Sequence, residues 1–413
     1  MPLMPVSLER RMPLAVFLIS LALLLAGAVV RGPFVGQDTD GYLIAGDKIL
    51  GWLTSGSPSL EKINELFVVP HYLIATFYLY GIHDLLGMGE WGVVVVNSVL
   101  FALLVSMLFT LWFSICGLRS IAWTSGALCA GLAGGLYVIF GLPDGFLWSY
   151  GVLTDMLFLF WVGAFVYFTT MALFEGRGVM WLAAFLFAVT APFVRPTGLI
   201  VPVLFLVALV IHIVPAIRRY PGTAAVLSLV IPAFIVFAVV PWLVLMEVNP
   251  ETDARRYVPG FLMGPFLQSV YFFKHGVIVA HRVELDMAGA LSYLDILKAI
   301  VYRLIYYWVP VRLGGSAYSA IHNIVNVVYM IVALPLLCRG IKCLIEGAAA
   351  HRAVLLFLVM VSYGYALQHA VTLVAFDWRY QVPAMVPLWV LVGCGFYDIL
   401  ERTRGCCSGS RGV

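Results

Sequence analysis

Two carboxylates stand close together in Gln37-Asp38-Thr39-Asp40-Gly41-Tyr42, directly after the first long apolar run. An acid held at a membrane surface stays ionised and can accept a proton from an attacking hydroxyl. The same two residues also suit the start of a helix, YLIAGDKILGWL, as caps. Asp155 opens a later apolar run in YGVLTDMLFLFW. Arg195 stands in Arg195-Pro196-Thr197-Gly198, between two apolar stretches, and Arg379 in Asp377-Trp378-Arg379-Tyr380, just before the last one. A guanidinium group binds phosphate oxygens bidentately. Arg379 with its aromatic neighbours also fits an interfacial anchor. These types together suit transfer chemistry on a phosphate-linked substrate at a membrane face.

The eight histidines give no metal pattern. His71 and His83 share one stretch and His275 and His281 another, neither at the i, i+4 spacing of a helical zinc pair. Surface or interfacial histidines are expected, and no metal or other cofactor is called for, although Asp38 and Asp40 leave a divalent ion open. The seven cysteines lie at 116, 129, 338, 343, 394, 406 and 407. All fall in apolar runs or on the expected inner side, so no structural disulfide is expected. Cys406-Cys407, beside a span, is a candidate for acylation, with an inert tail as the plainer reading.

The elements that must position these groups follow from composition. Apolar residues make up 63% of the chain and charged residues 11%, against about 25% charged in soluble domains. Mean hydropathy is +1.02. So few charges cannot cover a water-facing surface, so lipid must cover much of it. The net charge of +3 is small and says nothing about nucleic acid; no basic arm or nucleic-acid motif is present, and none is expected as a partner. Runs long enough to cross a bilayer occur at 13–30, 92–114, 121–141, 150–173, 180–194, 198–215, 224–246, 320–338, 353–374 and 381–399. The expected fold is therefore all-α: a polytopic bundle of about ten transmembrane helices forming one domain over 1–413. The first helix reads as an uncleaved span rather than a signal peptide. Around Arg195, Pro and Gly break the apolar run. A helical hairpin with Arg195 at a surface tip is preferred to one kinked helix.

Arginine and lysine in the short loops put both termini inside. Arg10, Arg11, Arg119, Arg177, Arg218, Arg219, Arg339, Lys342, Arg352, Arg402, Arg404 and Arg411 then lie on the inner face. Two long outer segments remain, 31–91 and 248–319. Stretches such as HYLIATFYLYGIHDLLG and YLDILKAIVYRLIYYWVPV within them read as amphipathic helices lying in the interface. Asp38, Asp40, Asp155, Arg195 and Arg379 all fall at the outer face.

The chain resembles the GT-C superfamily of membrane glycosyltransferases, in particular the protein O-mannosyltransferase and lipid A aminoarabinose transferase branch. Four pieces carry the resemblance: DTDGYLIAGDKIL after the first span, VVPHYLIATFYLYGIHDLLG before the second, LTDMLF at the start of a middle span, and RYQVPAMVP at the start of the last. Their order spans most of residues 13–400. The resemblance implies inverting transfer of a sugar from a polyprenyl-phosphate donor to a lipid, glycan or protein acceptor. Asp38 best matches the family's base, with Asp40 the alternative. Arg195 and Arg379 would hold the phosphate, Asp155 would orient hydroxyls, and Tyr42, His71, Tyr72 and Tyr380 would line the substrate. Asp-Thr-Asp stands where the nearest branches have Asp-Glu. The large outer domain with which some members bind acceptors is not expected after residue 400. With no Asn-x-Ser/Thr sequon, a bacterial inner membrane with a periplasmic active face is expected.

A different class, a secondary transporter or lipid flippase, would instead place its ionisable groups near the midplane on broken helices. Sequence places the acidic cluster at one surface, which favours the enzyme.

Overall fold

In the computed structural model, residues 11–36, 39–55, 72–116, 151–152, 154–214, 226, 230, 279–280, 283–284, 293–308, 317–371 and 381–409 are described. The described residues form eleven α-helices and two minimal strand pairs. In order these are α1 (Arg11–Arg31), β1 (Phe34–Val35), α2 (Thr39–Ser55), α3 (Leu73–Tyr80), α4 (Gly89–Ile115), β2 (Gly151–Val152), α5 (Asp155–Glu175), α6 (Gly178–Val194), α7 (Ile200–Ile213), β3 (Val279–Ala280), β4 (Val283–Glu284), α8 (Tyr293–Trp308), α9 (Ala317–Glu346), α10 (Ala349–Val371) and α11 (Val382–Gly409).

Among the described residues, five helices are long and apolar enough to cross a membrane: Met12–Arg31, Gly89–Ile115, Asp155–Glu175, Ala349–Ala370 and Val382–Ile399. Two shorter apolar helical segments, Gly178–Val194 and Thr197–Ile213, accompany them. Such runs become helices because hydrocarbon offers no partner for backbone N–H and C=O groups, so each segment must bond within itself. The chain is thus a multi-pass membrane protein whose described residues are predominantly helical. The expected spans 121–141 and 224–246 lie outside the described residues or nearly so.

Side-chain contacts fix the helix directions. Ser106 Oγ donates to Pro13 O at 2.8 Å, and the strand after α1 pairs with β2 where Asn97 of α4 bonds it, so α1 and α4 run antiparallel. Trp181 meets His212 and Phe185 meets Phe205, which makes α6 and α7 the expected hairpin. Trp161 Nε1 donates to Thr190 Oγ1 at 2.8 Å and ties α5 to α6. The core between them is apolar and aromatic, with Phe165 edge-on to Phe357 across α5 and α10. Leucines and valines on the outer faces of α1, α6 and α9 stay exposed, as lipid-facing residues do.

Helices α9 and α11 run parallel and touch backbone to backbone. A Cβ on Gly340 would lie 1.9 Å from Leu391 O, and one on Gly395 1.9 Å from Leu336 O. Only glycine permits this approach, a device typical of helix pairs in membranes. Arg339 then reaches Asp398 across the crossing, and Arg402 Nε reaches the same carboxylate at 3.1 Å.

These directions sort the bundle into two ends. One gathers the end of α1, the starts of α2, α5 and α11, and the Arg195 hairpin tip. The other gathers the ends of α4 and α5 and the start of α10, where His351 Nε2 bonds Ile115 O at 3.1 Å.

Candidate functional site

The first of these ends carries the candidate site, and it is assembled by a two-residue parallel strand pair. Phe34 and Val35 of β1 pair with Gly151 and Val152 of β2. This brings the segment after α1 against the segment before α5. Thr39 Oγ1 donates to Val152 O at 2.6 Å from the first turn of α2. Asn97 Nδ2 in α4 donates to Gly151 O at 2.8 Å, and Tyr78 OH donates to Asn97 Oδ1 at 2.6 Å. Four elements are thereby locked around the start of α5. Beneath them, Tyr42, Ala45, Leu79, Val93 and Val152 form a small apolar cluster of their own.

On this support stands a buried ion pair. Arg195 Nη1 donates to Asp155 Oδ1, and the two residues are 6% and 4% exposed. Asp155 occupies the first turn of α5, where the helix N-terminus favours a negative charge. Arg195 is the extended residue that ends α6. Its place depends on the turn that follows: Gly198 N donates to Arg195 O at 2.8 Å. A Cβ on Gly198 would sit 2.2 Å from Ala191 O. The Arg-Pro-Thr-Gly sequence therefore supplies both the helix stop and the room for a tight return.

Tyr42 completes the cluster. Its side chain hydrogen-bonds with that of Thr154 and lies within electrostatic reach of Arg195 and Asp155. Burial pushes its phenol well above the usual range, partly offset by the Arg195 charge. Tyr72 packs against it with ring centroids 5.6 Å apart. The arrangement offers a positioned guanidinium, a carboxylate and two phenols around one spot, a combination suited to orienting hydroxyls and steadying developing negative charge.

Of the residues singled out by sequence, Tyr42, Tyr72, Asp155 and Arg195 are brought together. Asp40 is exposed, on the side of α2 away from buried Tyr42, because two residues along a helix turn by about 200°. Asp38, His71, Arg379 and Tyr380 lie outside the described residues. Arg195 ends α6 at the turn of the hairpin and is enclosed and partnered there. Its charge is balanced by Asp155, which changes what either group does alone. Among the described residues, no three His, Cys, Asp or Glu side chains are grouped to hold a metal ion.

A second polar group went unnoticed in the sequence. Arg303 of α8 is 1% exposed, and its charge acts on His369 near the end of α10. Tyr307 stacks obliquely on His369 at a centroid distance of 5.0 Å. This group lies at the same end of the bundle. Gly364 faces Ile200 and Leu204, and α7 and α10 are antiparallel. His369 is five residues beyond Gly364, about 7.5 Å at helical rise, toward the level of residues 195–199. The signal was present: Ile300, Arg303 and Tyr307 share one buried stripe, so an Arg interrupts the apolar face of α8. The sequence reads this segment as an amphipathic helix in the interface, which does not say that its arginine lies on the buried side.

No family model, no curated protein and no solved structure matches this chain.

Proposed function

We propose that the protein is a GT-C-like glycosyltransferase that moves a sugar from a polyprenyl-phosphate donor to a lipid, glycan or protein acceptor. The observation that carries the reading is the buried Asp155–Arg195 pair, met by Tyr42 and Tyr72 at one end of an apolar bundle. A lipid-linked phosphate resides at the depth where such a bundle ends. In this reading a first-loop acid, Asp38 or Asp40, takes the proton of the acceptor hydroxyl as the sugar's anomeric carbon inverts. Asp155 holds Arg195 in place and contacts hydroxyls. Arg195 steadies the charge that develops on the departing phosphate, assisted by Arg379. His71 and Tyr380 line the substrate, and no metal is needed. The proposed setting is a bacterial inner membrane, with about ten spans, both termini cytoplasmic and the site periplasmic.

The test is incubation of the purified protein in proteoliposomes with polyprenyl-phosphate sugars labelled in the sugar, with membrane lipids, glycans and proteins as acceptors. Formation of a labelled glycosidic product, lost in D38N or D40N protein that still inserts, supports the reading. Absence of product from every donor sinks it.

A second reading has one observation in its favour. The Asp155–Arg195 pair is enclosed by protein rather than open to water, and buried charge pairs within bundles also mark transport paths. A transporter or flippase would move the intact lipid-linked substrate across the proteoliposome membrane and form no new bond.

A further inference from the structure

The other end of the bundle holds a cavity of about 220 Å³, lined by Cys116, Cys343, Glu346, His351 and Asp398 together with Ile115 and Gly347. Three helices bring cysteines to this level by register. Trp112 Nε1 donates to Val390 O at 3.0 Å; α4 and α11 are parallel, so four residues further along each stand Cys116 and Cys394. A Cβ on Gly340 of α9 would touch Leu391 O; three residues further along each stand Cys343 and Cys394. The Cys394 and Cys116 side chains are within hydrogen-bonding reach of one another. Cys394 is buried, whereas Cys116 is half-buried and lines the cavity.

Three thiols at one level suggest either a soft metal or thiol chemistry. Of the three, Cys116 and Cys394 are the pair in side-chain contact, which points to chemistry between two thiols. An accessible thiol beside a buried partner is the arrangement of an attacking and a resolving cysteine.

We propose that Cys116 and Cys394 form a redox-active thiol pair, reached through this cavity, that closes to a disulfide when a small-molecule disulfide enters. The Cys116 thiolate attacks one sulfur of R–S–S–R, whose S–S bond breaks and releases one RS⁻. The Cys394 thiolate then attacks the Cys116 sulfur and releases the second RS⁻. Each leaving thiolate takes the proton given up by the attacking thiol. Two electrons pass from the cysteines to the reagent, which ends as two RSH. The product ties the end of α4 to the middle of α11, and reduced thiols reverse it. On the inner face expected for this end, such bonds are transient and responsive to redox state.

The experiment uses the full chain in detergent with oxidised glutathione. Remaining thiols are blocked, the protein is reduced, and newly exposed thiols are tagged with a polymer maleimide and mapped by peptide mass spectrometry. Two of the seven thiols should disappear together, with the linked peptides containing Cys116 and Cys394. Dithiothreitol should restore both, and C394A should trap glutathione on Cys116. A stable mixed disulfide on Cys116 of the unaltered protein, a bond between another pair, or full retention of all thiols overturns the proposal. The mapping on unaltered protein decides the matter even where C394A does not fold.

Discussion

Replacing Asp155 by Asn keeps the side chain's shape and removes its charge. Arg195 then loses this counter-charge while 6% exposed. Removing one member of a buried ion pair costs about 3–5 kcal/mol, because the remaining charge has been taken from water without compensation. At about 1.4 kcal/mol per decade, that weakens the folding equilibrium by roughly two to four decades. The companion change, R195M, should cost a similar amount by removing the guanidinium with which Asp155 is paired. The informative construction is the double variant D155L/R195M. Replacing a buried pair by apolar groups of similar volume is often neutral or stabilising, so most of the loss should return. Equilibrium unfolding of the four proteins in detergent, by added denaturing surfactant, reads the coupling directly. If the double variant loses the sum of the two single losses, Asp155 and Arg195 do not sustain one another and the site as described is wrong.

Other expectations concern the supports of that pair. Gly198→Ala should destabilise by about 1–3 kcal/mol, the range for overpacking, since the new methyl meets the Ala191 carbonyl; a melting temperature equal to the parent's would contradict the hairpin geometry. Tyr42 binds its proton more tightly folded than unfolded. Its contribution is therefore complete below the unfolded value, about pH 10, and is lost as pH rises above it. Y42F should reduce the alkaline fall in stability by up to about 1.4 kcal/mol per pH unit, measured by unfolding between pH 9 and 11. Asn97→Leu removes the donor to Gly151 O and the acceptor for Tyr78. It should cost about 1–3 kcal/mol and lower any sugar transfer along with it, whereas an unchanged rate would show that the β2 anchor does not position the site.

The helices were legible because the bilayer leaves the chain so little choice. The apolar run 92–114 became Gly89–Ile115, and 353–374 became Ala349–Val371. Local chemistry also announced the break at Arg195, where Pro and Gly follow directly. The site was legible only as a set of residue types at one end. That Asp155 grips Arg195 depends on which way two helix ends rotate, and nothing along the 40 positions that separate them carries a sign of it. The strand pair of Phe34–Val35 with Gly151–Val152 is too short for any alternation pattern, yet it sets the site's geometry. Arg303 was missed for a different reason. A charged residue on an amphipathic helix is naturally assigned to water, but its position between Ile300 and Tyr307 put it on the buried stripe.

The two buried arginines bear differently on the proposed activity. Burying a guanidinium among apolar helices carries a penalty of several kcal/mol, and a bundle that needed only stability would place leucine at both positions. Arg195 is balanced by Asp155, so the pair is electrically neutral and its value lies in fixed orientation. A phosphate at this end would meet a second arginine as well. Arg303 lies on that end, its field reaching His369. If sugar transfer from a phosphate-linked donor occurs here, R303M should weaken donor binding more than it slows turnover, while D155L/R195M should slow turnover more than it weakens binding. The reverse pattern would mean that Arg195 itself carries the phosphate and that Asp155 releases it when substrate arrives.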